Sequence, residues 1–152
     1  MSDDVLGLIP FAKTLGLSVI RDGPDEVRIR LKWNVDLCTN NGVLHGGVIM
    51  AMADTAGGIC AYRNLPPRAS GTTTIESKTN FLGGVTSGHI SALAKPIHLG
   101  TTLVVVETDV RDSRGNLVAR VNQTQLVLSQ RRETPSLPHP AQFEVPGCTL
   151  SR

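Results

Sequence analysis

Asp54 is the residue of this sequence whose type and setting are best suited to chemistry. It lies within residues 46–61, which are otherwise the least polar stretch of the chain. A carboxylate among apolar side chains must either lose solvation or find a polar partner, and neither is expected of ordinary packing. We expect Met50, Met52 and Ile59 to desolvate Asp54 and to make it a better base than a carboxylate on the surface.

Two glycines, Gly46 and Gly47, stand at the start of the same segment, directly after His45. If the segment is a helix, its first backbone N–H groups have no partner within the helix, and the helix dipole favours negative charge there. A glycine lets a substrate approach these N–H groups because it has no Cβ atom. Hydrolysis of a thioester needs such donors for the developing oxyanion, together with a base or nucleophile such as Asp54.

The spacing of Gly46 and Asp54 has a consequence for the assembly of the protein. Eight residues along one helix separate them by roughly 12 Å along the helix axis, and a carbonyl group is too small to contact both. If both residues act on one thioester, they must come from different chains whose helices run antiparallel across a two-fold interface. The sequence therefore predicts a site shared between subunits, and at least a dimer.

Each of these residues also has a structural explanation. A histidine beside a helix start often caps the helix or braces a loop, so the ring of His45 is expected to fix the loop that carries Gly46, with direct contact to the thioester as the alternative. Paired glycines are common in turns. Asp54 could be satisfied by hydrogen bonds to a neighbouring helix, and Met50 and Met52 could be ordinary core residues.

The composition argues against several classes of function. Basic residues are scattered and aromatic residues make up only 3% of the chain, so no nucleic-acid-binding surface is expected. No segment approaches the roughly 20 apolar residues of a membrane span. The three cysteines have no metal-like or disulfide spacing, Cys60 has no evident activating partner, and His89 and His98 lack ligand spacing, so no metal site is expected. These features, with an acidic N-terminus unlike a signal peptide, favour a soluble cytoplasmic protein.

The first half of the chain is predicted to contain two helices and a hairpin. Residues 4–15 are amphipathic, and Pro10 is expected to bend or split the helix that they form. Residues 17–20 and 26–33 read as the two strands of a hairpin, because residues 26–33 alternate strictly between apolar and charged side chains. Residues 46–62 are predicted to form a long helix that is apolar nearly all round, which implies that it is enclosed on most sides.

The second half is predicted to consist of strands that follow one another through short turns and therefore pair antiparallel. These strands span residues 72–82, 87–97, 101–111 and 117–129. An α+β fold is expected, in which a curved antiparallel sheet wraps around the one long helix. We assign residues 1–130 to this domain and residues 131–152, which are rich in proline, to an extended C-terminal tail.

Three sequence features together resemble the hotdog-fold acyl-CoA thioesterases. They are the motif Asn-Gly-x-x-His-Gly-Gly at residues 41–47, the acid Asp54 nine positions after His45, and Asn80-Phe81-Leu82. The resemblance covers about residues 10–130, and the nearest branch is the one associated with phenylacetate degradation (PaaI-like). It implies hydrolysis of an acyl-CoA to the free acid and CoA, with Asp54 of one subunit as nucleophile or general base and the Gly46 N–H of the other polarising the carbonyl.

The same resemblance assigns further site residues. The family places a polar side chain on the strand after the helix to hold the water, and this position falls on Thr74, with Thr73 as the adjacent alternative. Family members often carry an Asn six residues before the histidine, where this chain has Thr39. Asn40 and Asn41 follow directly and are the candidates for that contact.

The substrate would be bound at the interface between subunits. Its acyl group is expected to lie against residues such as Met50, Ile59 and Tyr62. Three basic side chains could meet the phosphates of CoA, although solvated strand ends explain them equally well: Lys95, His98 and Arg120. No cofactor is expected, since CoA is part of the substrate, and the family often forms dimers of dimers, which would make the protein a homotetramer.

Two other functions of the same fold remain as alternatives. A non-catalytic acyl-CoA-binding protein, acting as a sensor or carrier, is disfavoured because binding a neutral thioester gains nothing from the Asp54 carboxylate. A hydratase or dehydratase would need an acid and a histidine that act together on the α and β carbons of the acyl group. The position of His45 at the helix start fits that chemistry poorly.

Overall fold

The computed structural model describes residues 5–129 of the 152-residue chain. It begins with a 3-10 turn at Val5–Leu8 and a short helix, α1, at Pro10–Leu15. The predicted N-terminal helix is therefore split at Pro10, because proline suits the first turn of a helix but interrupts a helix already under way. The extended tail predicted for residues 131–152 lies outside the described residues.

The strands of the described chain form one antiparallel sheet, as the sequence predicts. They are β1 (Ser18–Asp22), β2 (Val27–Lys32), β3 (Ala69–Phe81), β4 (His89–Leu99), β5 (Leu103–Asp112) and β6 (Leu117–Ser129). Their order across the sheet is β1-β2-β4-β5-β6-β3. The strand that follows the long helix therefore crosses to the far edge of the sheet and pairs with the last strand, β6.

The long helix, α2, spans Gly46–Arg63 and packs against five of the six strands. Alternate side chains of the strands point toward it and are buried, for example Val27, Ile29 and Leu31 on β2. A single core lies between the sheet and the helix. This arrangement confirms the predicted α+β architecture of a curved antiparallel sheet around one helix.

Most positions of α2 are buried or half-buried within one chain, as predicted, but one stripe of the helix is exposed. Met52 is fully buried, but Met50 is 42% exposed, and Tyr62 is 54% exposed. Asp54 lies on the same exposed stripe, because residues four apart share one face of a helix. The predicted desolvation of Asp54 by Met50, Met52 and Ile59 is wrong within one chain, because Asp54 is exposed while Met52 and Ile59 point into the core.

A second exposed apolar surface lies beside this stripe, on β3. Within residues 5–129 this strand is paired only with β6, and it forms an edge of the sheet over 13 residues. Ile75 is 56% exposed and Phe81 is 52% exposed. A long edge strand with exposed apolar side chains is a surface that natural proteins usually cover.

Candidate active site

The start of α2 is fixed by the loop that precedes it. The backbone N–H of Leu44 donates to the carbonyl of Val85 over 2.8 Å, and that of His45 donates to Leu37 over 2.9 Å. His45 has extended backbone angles and is the N-cap of the helix. Its ring is exposed, so the loop is held by its backbone and not by burial of this side chain.

His45 caps the helix through its ring. The Gly47 N–H donates to His45 Nδ1 over 2.9 Å, which occupies one of the N–H groups that a helix start leaves without a partner. A Cβ on Gly47 would lie 3.0 Å from the same nitrogen, so glycine lets the ring approach closely. Within residues 5–129 the Gly46 N–H has no acceptor, and it is therefore the donor that remains available to a ligand.

Gly46 lies beside the ring of Phe81 from the end of β3. A Cβ on Gly46 would be 3.1 Å from Phe81 Cζ, closer than ordinary van der Waals contact. A larger residue at this position would have to displace the ring and would also cover the free N–H group. The local packing thus favours a glycine at the position where the sequence predicts an oxyanion donor.

Asp54 is held by hydrogen bonds to a single one of its two carboxylate oxygens. The Thr74 hydroxyl donates to Asp54 Oδ1 over 2.9 Å, and Gln123 Nε2 donates to the same oxygen over 2.8 Å. Among the described residues no donor reaches Oδ2. The carboxylate is therefore oriented, and one oxygen remains free to accept a proton or to attack an electrophile. The structure brings Asp54 together with Thr74 and not with the alternative, Thr73.

Two glutamines at this site were not predicted from the sequence. Gln123 is fully buried and Gln125 is 1% exposed, and both side chains point inward from β6. Gln125 Nε2 donates to Thr74 Oγ1 over 2.7 Å, and Thr72 Oγ1 donates to Gln125 Oε1 over 2.9 Å. The available signal was the alternation of β6, which places two polar residues at successive core positions between Val121 and Val127.

An apolar cleft of about 630 Å³ opens beside the carboxylate. Its walls come from three parts of the fold: the N-terminal segment with Leu8 and Phe11, the exposed face of α2 with Asp54 and Tyr62, and residues 71–74 of β3. Leu8 is 81% exposed, so the cleft is open on its outer side in a single chain. A cleft lined mainly by apolar side chains with one carboxylate suits the acyl part of an acyl ester or thioester.

Of the remaining residues predicted to contact the substrate, some line the cleft and others do not. Asn40 and Asn41 occupy an exposed 3-10 turn in the loop before α2, where Asn41 has a left-handed backbone with φ of 65°. Met50 is exposed on α2 but does not line the cleft, and Thr73 lines it without a side-chain hydrogen bond within the described chain. Ile59 borders the cleft from the core side.

Two other side chains that could do chemistry or bind phosphate are Cys60, which is buried, and Arg120, which is hydrogen-bonded to a carboxylate. Burial raises the pKa of Cys60 to about 11, so its thiol is neutral at physiological pH and is no nucleophile. Arg120, a candidate for CoA phosphates, donates two hydrogen bonds to Asp109, at 2.7 and 3.1 Å. Across residues 5–129 no group of three His, Cys, Asp or Glu side chains could hold a metal, and no helix there is long and apolar enough to cross a membrane.

Comparison with known proteins identifies relatives of the chain. Residues 41–119 match the family model of the thioesterase superfamily. Protein Rv1847 of Mycobacterium tuberculosis carries the provisional name of an esterase. It is 30% identical to this chain over 114 residues, and these cover 74% of this chain and 81% of that protein. Its structure superposes with a TM-score of 0.78 over 81% of this chain and 99% of that one.

Two further solved structures share the architecture. Thioesterase HI1161 from Haemophilus influenzae has a TM-score of 0.78 at 26% identity, over 86% of this chain and 92% of that one. The PaaI protein of the phenylacetic acid degradation operon of Escherichia coli has a TM-score of 0.74 over 82% of this chain and 88% of that one. At 18% identity, the similarity to PaaI shows a shared fold alone.

Proposed function

The chain belongs to the thioesterase superfamily and has its hotdog fold, and on this basis we propose that it hydrolyses acyl-CoA thioesters to the free acid and CoA. One observation carries the proposal. The carboxylate of Asp54 is fixed through Oδ1 by two donors, and Asp54 lines an apolar cleft suited to an acyl group. Two hydrogen bonds thus orient the carboxylate before a substrate is bound, although Asp54 is exposed in a single chain.

The reaction divides between Asp54 and a backbone donor. Asp54 either attacks the carbonyl carbon directly, which forms an anhydride that water then hydrolyses, or removes a proton from an attacking water molecule. In both routes the carbonyl oxygen becomes an oxyanion, the C–S bond breaks, and CoA leaves as a thiolate that is then protonated. The free N–H of Gly46 at the start of α2 stabilises the oxyanion.

A second copy of the chain completes this site. Asp54 and Gly46 are separated by roughly 12 Å along α2, so the Gly46 that serves one Asp54 belongs to the partner subunit. The exposed stripe of α2 and the unpaired edge of β3 are the surfaces that the partner covers, because both expose large apolar side chains. Dimerisation would then enclose Asp54, and a dimer of dimers is the proposed final assembly.

The proposed substrate is an aromatic or fatty acyl-CoA. The apolar cleft accepts the acyl chain between Phe11 and Tyr62, and small differences in its shape set the preference for chain length or for an aromatic ring. Met50, Asn40 and Asn41, which are exposed near the start of α2, are proposed to contact the substrate where the two subunits meet. The similarity in fold to PaaI makes phenylacetyl-type thioesters the first substrates to test.

Release of free thiol from a panel of acyl-CoAs tests the proposal. The panel contains short, long and aromatic acyl groups, and each is incubated with the wild-type protein and with Asp54→Ala. We expect turnover of at least one substrate and a fall in kcat of about a hundred- to ten-thousandfold in the variant. A full rate in Asp54→Ala would overturn the assignment, as would hydration of an enoyl-CoA without release of thiol.

A further inference from the structure

We propose that Gln123 is a positioning residue for the reaction. Its amide holds the carboxylate of Asp54 through Oδ1, so that Oδ2 faces the substrate, and Gly57 on α2 provides the space in which this amide lies. The inference rests on the proposed role of Asp54 as the catalytic carboxylate. Gln123 itself is buried beneath Asp54 and does not contact the cleft.

The shortest hydrogen bond of the Gln123 side chain is the one to the Asp54 carboxylate. Gln123 Nε2 lies 2.8 Å from Asp54 Oδ1, compared with 3.2 Å from Thr74 Oγ1 and 3.3 Å from the Asp54 carbonyl oxygen. The other end of the amide, Oε1, is buried and has no hydrogen-bond partner among the described residues. A buried acceptor without a donor is unfavourable, so the hydrogen bond to Asp54 is what the amide contributes at this position.

The Asp54 carboxyl oxygen determines the direction of this amide, because Oδ1 accepts the hydrogen bond from Gln123 Nε2. If the amide were reversed, Oε1 would face Asp54 Oδ1, and two acceptors would meet in a buried setting. In the observed direction an N–H group points at Asp54 Oδ1 and holds the carboxyl group in one orientation. The unpaired Oε1 is the consequence of satisfying Asp54 first.

Gly57 makes this arrangement possible from the helix side. It lies one turn after Asp54, and a Cβ on Gly57 would be 2.0 Å from Gln123 Oε1 and 2.8 Å from Gln123 Cδ. No side chain at this position can coexist with the observed amide. A glycine in the middle of a helix lowers helix stability, and the position of Gln123 gives a physical reason for it here.

A series of hydrogen bonds between side chains directs the Thr74 hydroxyl to Asp54 Oδ1 as well. Thr72 donates to Gln125 Oε1, so the opposite end of that amide donates to Thr74 Oγ1. The Thr74 oxygen therefore accepts from Gln125, and its single proton points to Asp54 Oδ1. Both donors thus meet at Oδ1, and Oδ2 is left for the reaction.

Steady-state kinetics of Gln123→Met, with the most active substrate of the panel, test the inference. Methionine matches the glutamine in shape but lacks the amide. We expect kcat to fall about ten- to a hundredfold, the range for losing a hydrogen bond to a charged group, while KM changes by less than about twofold because substrate binding is intact. Thr108→Val is the matched control, since Thr108 is a fully buried polar residue of the sheet whose hydroxyl also lacks a partner.

A double-mutant cycle separates positioning from damage to the fold. In the Asp54→Asn background, Gln123→Met should lower the residual rate by less than about twofold, because no carboxylate remains to be oriented. Gly57→Ala is the second variant, and it should reproduce the loss in kcat with Gln123 still present. The two changes together should be no worse than either alone.

The outcomes distinguish the inference from the proposed function. Full activity of Asp54→Asn would overturn the role of Asp54 and with it the proposed function. If Asp54→Asn is impaired but folded Gln123→Met or Gly57→Ala retains the wild-type kcat, the inference alone is overturned. An equal loss from Gln123→Met in both backgrounds, or the same loss in Thr108→Val, would also overturn it, because a structural defect would then explain the effect.

Discussion

At the scale of single residues, the ring of His45 is bound to the helix start. Its Nδ1 accepts the Gly47 N–H and so cannot act as a base in this arrangement. The ring instead leaves the Gly46 N–H as the free donor at the start of α2. A histidine that looks catalytic in sequence is thus placed as a helix cap, which was the explanation favoured for its ring.

Substitution of His45 should show whether its ring only caps α2 or also contacts the substrate. His45→Ala removes the cap and should lower the free energy of unfolding by about 1 kcal/mol, whereas His45→Asn supplies another good cap and should recover most of it. Urea unfolding measures the difference, and kcat is measured on the same samples. If His45→Asn has near wild-type stability but loses as much activity as His45→Ala, the ring contacts the substrate and its role is more than a cap.

The neighbouring threonines of β3 should differ in their effect on the rate. Thr74→Val removes a donor to Asp54 Oδ1 and should lower kcat by about tenfold or more. Thr73→Val is isosteric in the same way but removes no hydrogen bond of the described chain, so its effect should be clearly smaller. Equal losses in the two variants would show that the hydrogen bond to Asp54 is not what makes Thr74 important.

The sequence alone predicts some candidate site residues but not what the others contact. Asp54 and Gly46 were predicted because an acid in an apolar helix and a glycine at its start are visible within one segment, and Thr74 was predicted from the resemblance to the hotdog thioesterases. Gln123 and Gln125 contact Asp54 and Thr74 across about 50 to 70 positions of sequence. Only the pairing of β3 with β6, beneath α2, brings them together, and no local pattern encodes that pairing.

At the scale of elements, the strands could be predicted because apolar and polar side chains alternate along them with a period of two residues. The sequence did not show which side of α2 is exposed. A helix that is apolar all round has no polar face to mark its exposed side, so its sequence could not show which stripe lies against the sheet. The structure resolves this, with Met52 in the core and Met50 on the surface. The error about the burial of Asp54 has the same origin.

An ion pair between β5 and β6 gives this region of the sheet a dependence on pH. Hydrogen bonds from Arg120 hold the pKa of the opposite residue, Asp109, below its ordinary value of 3.8. A carboxyl whose pKa is lower in the folded state stabilises the fold fully above its unfolded-state pKa and loses that contribution as pH falls through the folded-state value.

Asp109→Asn should therefore be less stable than the wild type at pH 7, and the difference should shrink at pH 3 and below. The effect is expected to be small, because Arg120 is 43% exposed at its side chain and solvent screens the pair. Urea unfolding at both pH values checks this, with Asp112→Asn as a comparison in the neighbouring turn. A deficit that is equal at pH 7 and pH 3 would contradict an electrostatic origin.

At the scale of the whole molecule, three exposed features that are relevant to the site lie on the same side of the fold. The stripe of α2 with Asp54, the edge of β3 and the open side of the cleft all lie on the part of the fold that lacks a covering layer. Within residues 5–129 the carboxylate of Asp54 is held by two donors, and the predicted oxyanion donor, Gly46, lies roughly 12 Å from it along α2. The overall fold was predicted from the sequence, whereas the need for a partner subunit stays a prediction that rests on the spacing of Gly46 and Asp54 along one helix.

Subunit mixing tests whether the site is shared between chains. Asp54→Asn and Gly46→Val should each be nearly inactive, because one lacks the carboxylate and the other covers the donor and displaces Phe81. Unfolded together and refolded in equal amounts, they should recover about a quarter of the wild-type rate, since half of the dimers are hybrids and each hybrid has one intact site. Each variant refolded alone is the control, and its retained dimer is checked by light scattering. If folded, dimeric mixtures show no more activity than the variants alone, Asp54 and Gly46 do not meet across the interface.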